Sequence, residues 1–156
     1  MKFFRLLLSV LLCLVCLAAC GRADGGDFAR YRGDLSADVR YTLRGVPFAA
    51  RYTRENGRVT LTFTEPRGLC GCALARTDGE VSLLRGDLSV PVRGEAALPC
   101  AIFDFTFLAP QKAAEGYVFC KDGATYTVLA PGGGVSAVTL ERAGARLSFT
   151  VDDISF

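Results

Sequence analysis

Apolar residues recur at every second position along most of this chain, and that period sets what it can fold into. Val39, Tyr41 and Leu43 alternate with Asp38, Arg40 and Thr42. Phe48, Ala50 and Tyr52 alternate with Ala49, Arg51 and Thr53, and Val59, Leu61 and Phe63 with Arg58, Thr60 and Thr62. Asn56-Gly57 lies between the last two runs and supplies the positive φ angles of a tight hairpin turn. Successive side chains on a strand point to opposite faces, so each run has one apolar and one wet face. Such strands suit an antiparallel sheet covered on one side.

The pattern resumes after each break. Val81 and Leu83 follow Asp78-Gly79, and Leu88, Val90 and Val92 follow Gly86-Asp87. Pro91 lacks an amide hydrogen, which confines that run to a sheet edge or removes it from the sheet. Tyr117 to Cys120 leads into Asp122-Gly123, then Tyr126 and Val128, then Pro131 and the flexible-looking turn Gly132-Gly133-Gly134. Val138 and Leu140 precede Ala143-Gly144, and Leu147, Phe149 and Val151 close the chain. The reading is mainly β: a meander of seven or eight strands with turns every 8–12 residues or so. Glu95 to Leu108 is different. Leu98, Ala101, Ile102, Phe105 and Leu108 fall at helical spacing and Pro99 suits a first turn, while Phe103, Phe105 and Phe107 alternate as in a strand. The spacing favours a short helix.

The first twenty residues carry a second message. Lys2 and Arg5 precede an apolar stretch from Leu6 to Leu17, which ends at Ala18-Ala19-Cys20. Charged start, short apolar middle and small residues before a cut make a secretory signal. The middle is too short to span a bilayer comfortably. Ending on Cys20, the signal resembles the lipobox of bacterial lipoproteins. That resemblance implies diacylglycerol on the Cys20 sulfur and cleavage just before it. Two acyl chains give stable anchoring, at roughly 0.8 kcal/mol per buried CH₂. Residues 1–19 are then a signal peptide with a signal helix, 20–33 a lipidated tether, and 34–156 a single domain at the outer face of a bacterial cell membrane.

Losing Lys2 and Arg5 takes the formal charge of +2 to zero. No basic patch marks a nucleic-acid partner. Cys70, Cys72, Cys100 and Cys120 remain besides Cys20. Outside the cytoplasm they are candidates for one or two disulfides, or else they are small buried apolar residues. Cys70-x-Cys72 without histidine is no zinc signal, so no metal and no cofactor beyond the Cys20 lipid is expected.

The order of strands, apolar helix and more strands behind a lipobox resembles the LolA-like lipoprotein-carrier half-barrel. The resemblance rests on three stretches. One is the meander Leu35 to Pro66, with Asn56-Gly57 and the closing Thr64-Glu65-Pro66. Another is Asp78-Gly79-Glu80-Val81-Ser82-Leu83, leading into Leu98-Pro99 and the apolar segment. The last is the closing hairpin pair, ending Leu147-Ser148-Phe149. The layout is more similar still to small Gram-positive lipoproteins. It implies an open, strongly curved sheet with a helical lid over its concave face, and a cavity for acyl chains. Tyr41, Phe48, Tyr52, Phe63, Tyr126 and Phe149, in the in-facing phase, and Phe105 on the lid are the candidate lining. The alternative is that these aromatics fill a closed core.

No catalytic chemistry stands out. The chain has no histidine, which excludes Ser-His-Asp and Cys-His catalysis. The triple glycine lacks the Lys-Ser/Thr of a phosphate loop. Asp152-Asp153 reads as solvated, and Asp104, inside an apolar run, points to water from a helix or needs a partner in a strand. The expectation is a non-enzymatic, monomeric lipoprotein binding a lipid or a lipidated partner. The alternative is an envelope module with a filled core that docks a protein.

Overall fold

The computed structural model describes residues 28–156. The signal peptide and Cys20 lie outside the described residues. Eleven strands form one antiparallel sheet: β1 (Leu35–Leu43), β2 (Val46–Glu55), β3 (Arg58–Glu65), β4 (Ala73–Thr77), β5 (Glu80–Arg85), β6 (Leu88–Val92), β7 (Gln111–Ala113), β8 (Gly116–Lys121), β9 (Ala124–Leu129), β10 (Ala137–Arg142) and β11 (Ala145–Ser155). Their spatial order is β6-β5-β4-β3-β2-β1-β11-β10-β9-β8-β7. The sheet does not close, so the mainly-β, open antiparallel reading holds. The strand number is eleven instead of seven or eight, because short edge strands such as three-residue β7 carry too little periodicity to count.

Two meanders, β1–β6 and β7–β11, join where β1 pairs with β11. Hairpin turns drive both. Arg44-Gly45, Asn56-Gly57, Asp78-Gly79, Asp122-Gly123 and Ala143-Gly144 each place two consecutive residues at positive φ, the turn whose twist matches that of paired strands. β6 is an edge strand, as Pro91 requires.

The link from β6 to β7 must run from one sheet edge to the other. Laid flat, eleven strands at about 4.8 Å would separate the edges by about 50 Å. A curled sheet shortens that path and lets the link cross the concave face. The link folds into two 3₁₀ helices, Gly94–Ala101 and Asp104–Phe107. This is the lid, helical as the spacing favoured, though in tight 3₁₀ turns with Pro99 inside. Its inner face, Leu98, Cys100, Ile102, Phe103 and Phe105, is buried against the sheet.

The N-terminal end of the described chain also packs inward. Ala29–Arg32 is a 3₁₀ helix, and Phe28 and Tyr31 belong to the core. The packed domain therefore takes in residues that composition alone assigns to the tether. The Phe28 ring meets Phe105, Tyr117 and Phe119 edge-on at 5.7, 5.0 and 5.3 Å between centroids. Tyr31 accepts a hydrogen bond from the Val135 amide at 3.0 Å, and Arg30 donates to the Gly133 carbonyl. The triple glycine, which looked flexible in the sequence, is thus held against the N-terminal helix.

Candidate functional site

The aromatic residues expected to line a cavity fill the concave face instead. Tyr52, Phe105 and Phe149 are essentially inaccessible, and Tyr41, Phe63 and Tyr126 are buried. Phe48 is half-buried against them. They fall into two groups. Tyr41 stacks on Phe48 at 5.1 Å and meets Phe149 at 5.1 Å, and Phe48 meets Phe63 at 5.9 Å. Under the lid, Tyr52 packs on Phe103 at 4.9 Å, while Phe105 reaches Phe119 and Tyr126 at 5.0 and 6.1 Å. Lid rings occupy the space that an open half-barrel would leave.

Two buried polar groups in this layer, the Tyr52 hydroxyl and Arg54 Nη1, find no hydrogen-bond partner among the described residues. Arg54 is buried. It donates from Nε to the Gly33 carbonyl at 3.0 Å and from Nη2 to the Tyr31 carbonyl, with its guanidinium 5.3 Å from the centre of the Phe107 ring. The buried arginine thus clasps the N-terminal helix to β2.

The open space lies beside this packed layer. A cleft of about 820 Å³ runs between the first lid helix and the tips of the β4–β5 and β10–β11 hairpins. Val81, Ala97, Leu98, Ala101 and Ala145 give it an apolar wall. Arg76, Asp104, Glu95 and Arg142 give it charge. Of the seven aromatics named from sequence, none lines this cleft. Tyr41 and Phe48 border a shallower groove of about 530 Å³ near Pro47 and Glu65, and Tyr126 borders a third space that shares Asp104 and Arg142 with the main cleft.

Asp104 resolves on the lid with a partner. Both its oxygens accept from Arg76, at 2.6 Å each, a bidentate pair that pins the second lid helix to β4. Burial works against the Arg76 charge, but the Asp104 hydrogen bonds outweigh it and raise the guanidinium pKa. Burial pushes the neighbouring Cys100 thiol up to about 12, leaving it a poor nucleophile at neutral pH. Burial likewise raises Tyr126 to about 12, and Tyr41 and Tyr52 well above their ordinary value.

No disulfide joins the four cysteines. Cys72 and Cys100 are buried thiols that pack as apolar residues, and Cys70 and Cys120 are exposed thiols. Among the described residues no cluster of acids and cysteines is placed to hold a metal, and no helix is long and apolar enough to cross a membrane. Asp152 forms a solvent-exposed pair with Arg40 at 3.2 Å.

Arg54, Arg76 and Arg142 were not singled out from sequence. The signal was present: each shares its strand phase with buried residues, Arg54 with Tyr52, Arg76 with Leu74 and Arg142 with Leu140. A charge in the core-facing phase demands a partner or a ligand.

No family model and no curated protein matches the chain. Among solved structures it is similar to an uncharacterized conserved protein from Thermus thermophilus, with a TM-score of 0.50 and 12% identity over 83% of this chain and 82% of that one. It is also similar to a LolA superfamily protein from Nitrosomonas europaea, with a TM-score of 0.48 and 10% identity over 80% of this chain and 86% of that one. At such identities the likeness speaks to fold alone.

Proposed function

We propose that this protein is a non-enzymatic lipoprotein, held by lipidated Cys20 at the outer face of a bacterial membrane, that takes up an apolar chain of a lipid or lipidated partner. The observation that carries the reading is the cleft beside the lid. Its volume of about 820 Å³ falls within the roughly 300–1,000 Å³ typical of small-molecule sites. Its wall of alanine, valine and leucine side chains offers an alkyl chain dispersion contacts with no polar group to satisfy. The aromatic layer is the rigid floor of this site and not its lining.

Two experiments test the reading. In cells, Cys20→Ser abolishes incorporation of labelled palmitate and moves the protein out of the membrane fraction. Retention of label or of membrane association by the variant would sink the anchor. For the ligand, residues 22–156, which contain every described element, are purified and examined by native mass spectrometry with organic extraction. The wild-type fragment carries or takes up an acyl species. Ala97→Trp, which fills the half-buried cleft wall, lowers occupancy at least about fivefold. Phe105→Arg, placed in the aromatic floor, would unfold the domain and report nothing about binding.

A second reading draws on the filled core. The edge strand β6 exposes Leu88 and Val90 on the side of the sheet that carries Val81, an apolar strip that a protein partner could extend. A clean apo mass with no uptake of fatty acid or phospholipid favours that reading.

A further inference from the structure

The register of the C-terminal meander builds a charge gradient into the concave face. Residues paired across neighbouring strands share a face. Lys121 pairs with Ala124, Ala124 with Arg142, and Arg142 with Ala145. The rim of the sheet is therefore a row of two cations separated by alanine, with a second alanine beyond. Lys121 and Arg142 stand two strands apart, about 10 Å. Ala124 between them is too short to fill the gap, and a space opens there that Arg142 shares with the main cleft. Two residues further in, the paired row is Phe119, Tyr126, Leu140 and Leu147. All four are buried. The face thus passes from cationic to apolar within about 7 Å.

The acids nearby leave these cations unsatisfied. Both Asp104 oxygens are taken by Arg76. Glu95 pairs with Arg44 at 3.2 Å. Glu141, on the opposite face from Arg142, pairs with Arg146. Asp122, in the turn beside Lys121, forms no ion pair among the described residues. Among the same residues Lys121 and Arg142 have no ion-pair partner either.

We infer that the cleft selects an amphiphile with an anionic head, its carboxylate or phosphate held by Arg142 and Lys121 and its alkyl chain laid along Val81, Ala97 and Ala101. This rests on the reading of the cleft as an apolar-chain site and adds the chemistry of the head. Arginine offers a fork of donors matched to two oxygens of one acid group. The Lys121 ammonium, on its flexible stem, adds a point charge from the far side of Ala124.

The test uses the full-length protein reconstituted in phosphatidylcholine vesicles. Two photoactivatable probes of equal chain length are compared, a diazirine fatty acid and the corresponding neutral alcohol. The acid labels peptides containing Ala97–Ala101 and Arg142–Ala145 more strongly than the alcohol does. The double variant Lys121→Gln, Arg142→Gln lowers labelling by the acid at least about tenfold, the scale of a single lost charge-assisted contact. Labelling by the alcohol stays unchanged, which also reports that the cleft is intact. Unlabelled competitors then identify the source. Displacement by phosphatidylglycerol points to a membrane phospholipid head, and displacement by free fatty acid alone to a carboxylate. Equal labelling by acid and alcohol, or a double variant with wild-type labelling, overturns the head-group assignment and leaves the apolar cleft standing. No cleft labelling by either probe overturns both.

Discussion

Phe105→Ala lowers the stability of the domain by about 3–5 kcal/mol. Phe105 is fully buried. Its ring touches Phe28 from the N-terminal segment, Phe103 from the lid, Phe119 from β8 and Tyr126 from β9. Four rings from four parts of the chain cannot close together on the space it leaves, so the cavity persists and its cost adds to the lost transfer energy. For a domain of this size the melting temperature falls by roughly 10–20 °C. Phe107, three-fifths exposed, is the matched control. Phe107→Ala trims contact with the Arg54 guanidinium and costs about 1 kcal/mol or less. Chemical denaturation of both variants decides the matter. A Phe105→Ala loss below about 1.5 kcal/mol, well under the range for a buried ring, would mean that the lid rests loosely on the sheet. Function follows from this number. A lid docked by Phe105 does not swing clear of the sheet, so the space open to the apolar chain we propose is the cleft beside it.

What the sequence disclosed, and what it withheld, divides along physical lines. Alternation in β1, β2 and β3 is legible because their faces differ sharply: Val39 and Tyr41 are buried while Arg40 and Thr42 are exposed. The turns are legible because Asn-Gly and Asp-Gly pairs announce positive φ locally. Arg44-Gly45 and Ala143-Gly144 make the same turn with residues that do not favour it, so only their glycines show. The lid was ambiguous because Leu98, Ala101, Ile102, Phe105 and Leu108 keep a helical period while Phe103, Phe105 and Phe107 keep that of a strand. Tertiary demand, the need to cross the concave face, decides for the helix.

The site was harder to see. Aromatics in the in-facing phase mark the core-facing side without saying whether a ring or a ligand fills it. Here Phe28, Tyr31 and the lid supply the rings. Nothing in the local pattern of residues 28–31 announces that they fold back across most of the chain to meet Gly133 and Val135. The cleft is lined by alanines and by charges in the wrong phase. Alanine carries almost no signal. The charges do, but reading Arg76 as the partner of Asp104 needs the pairing of β4 with a lid 28 residues away.

Raising the pH unfolds this protein steeply between about pH 10 and 12, the window that the buried phenols and thiol set. Tyr41, Tyr52, Tyr126 and Cys100 all have folded-state pKa values raised by burial, against ordinary values of 10.0 for tyrosine and 9.0 for cysteine. The unfolded chain therefore releases these protons first. Their contribution to stability is fully present below about pH 9 and is lost as pH climbs toward the folded-state values. Each group that is ionised only in the unfolded state costs about 1.4 kcal/mol per pH unit. Four together give roughly 5–6 kcal/mol per unit, enough within two units to exhaust the about 5–15 kcal/mol that holds a domain. Phenolate absorbance and circular dichroism should change together in one cooperative step. Gradual ionisation near pH 10 with the fold intact, as for ordinary exposed phenols, would show that the tyrosines are open to water. Tyr52→Phe sharpens the test. The Tyr52 hydroxyl has no partner among the described residues, so removing it forfeits no hydrogen bond made there and neutral-pH stability is preserved. The alkaline slope drops by about 1.4 kcal/mol per unit, because one buried proton no longer separates the folded from the unfolded chain.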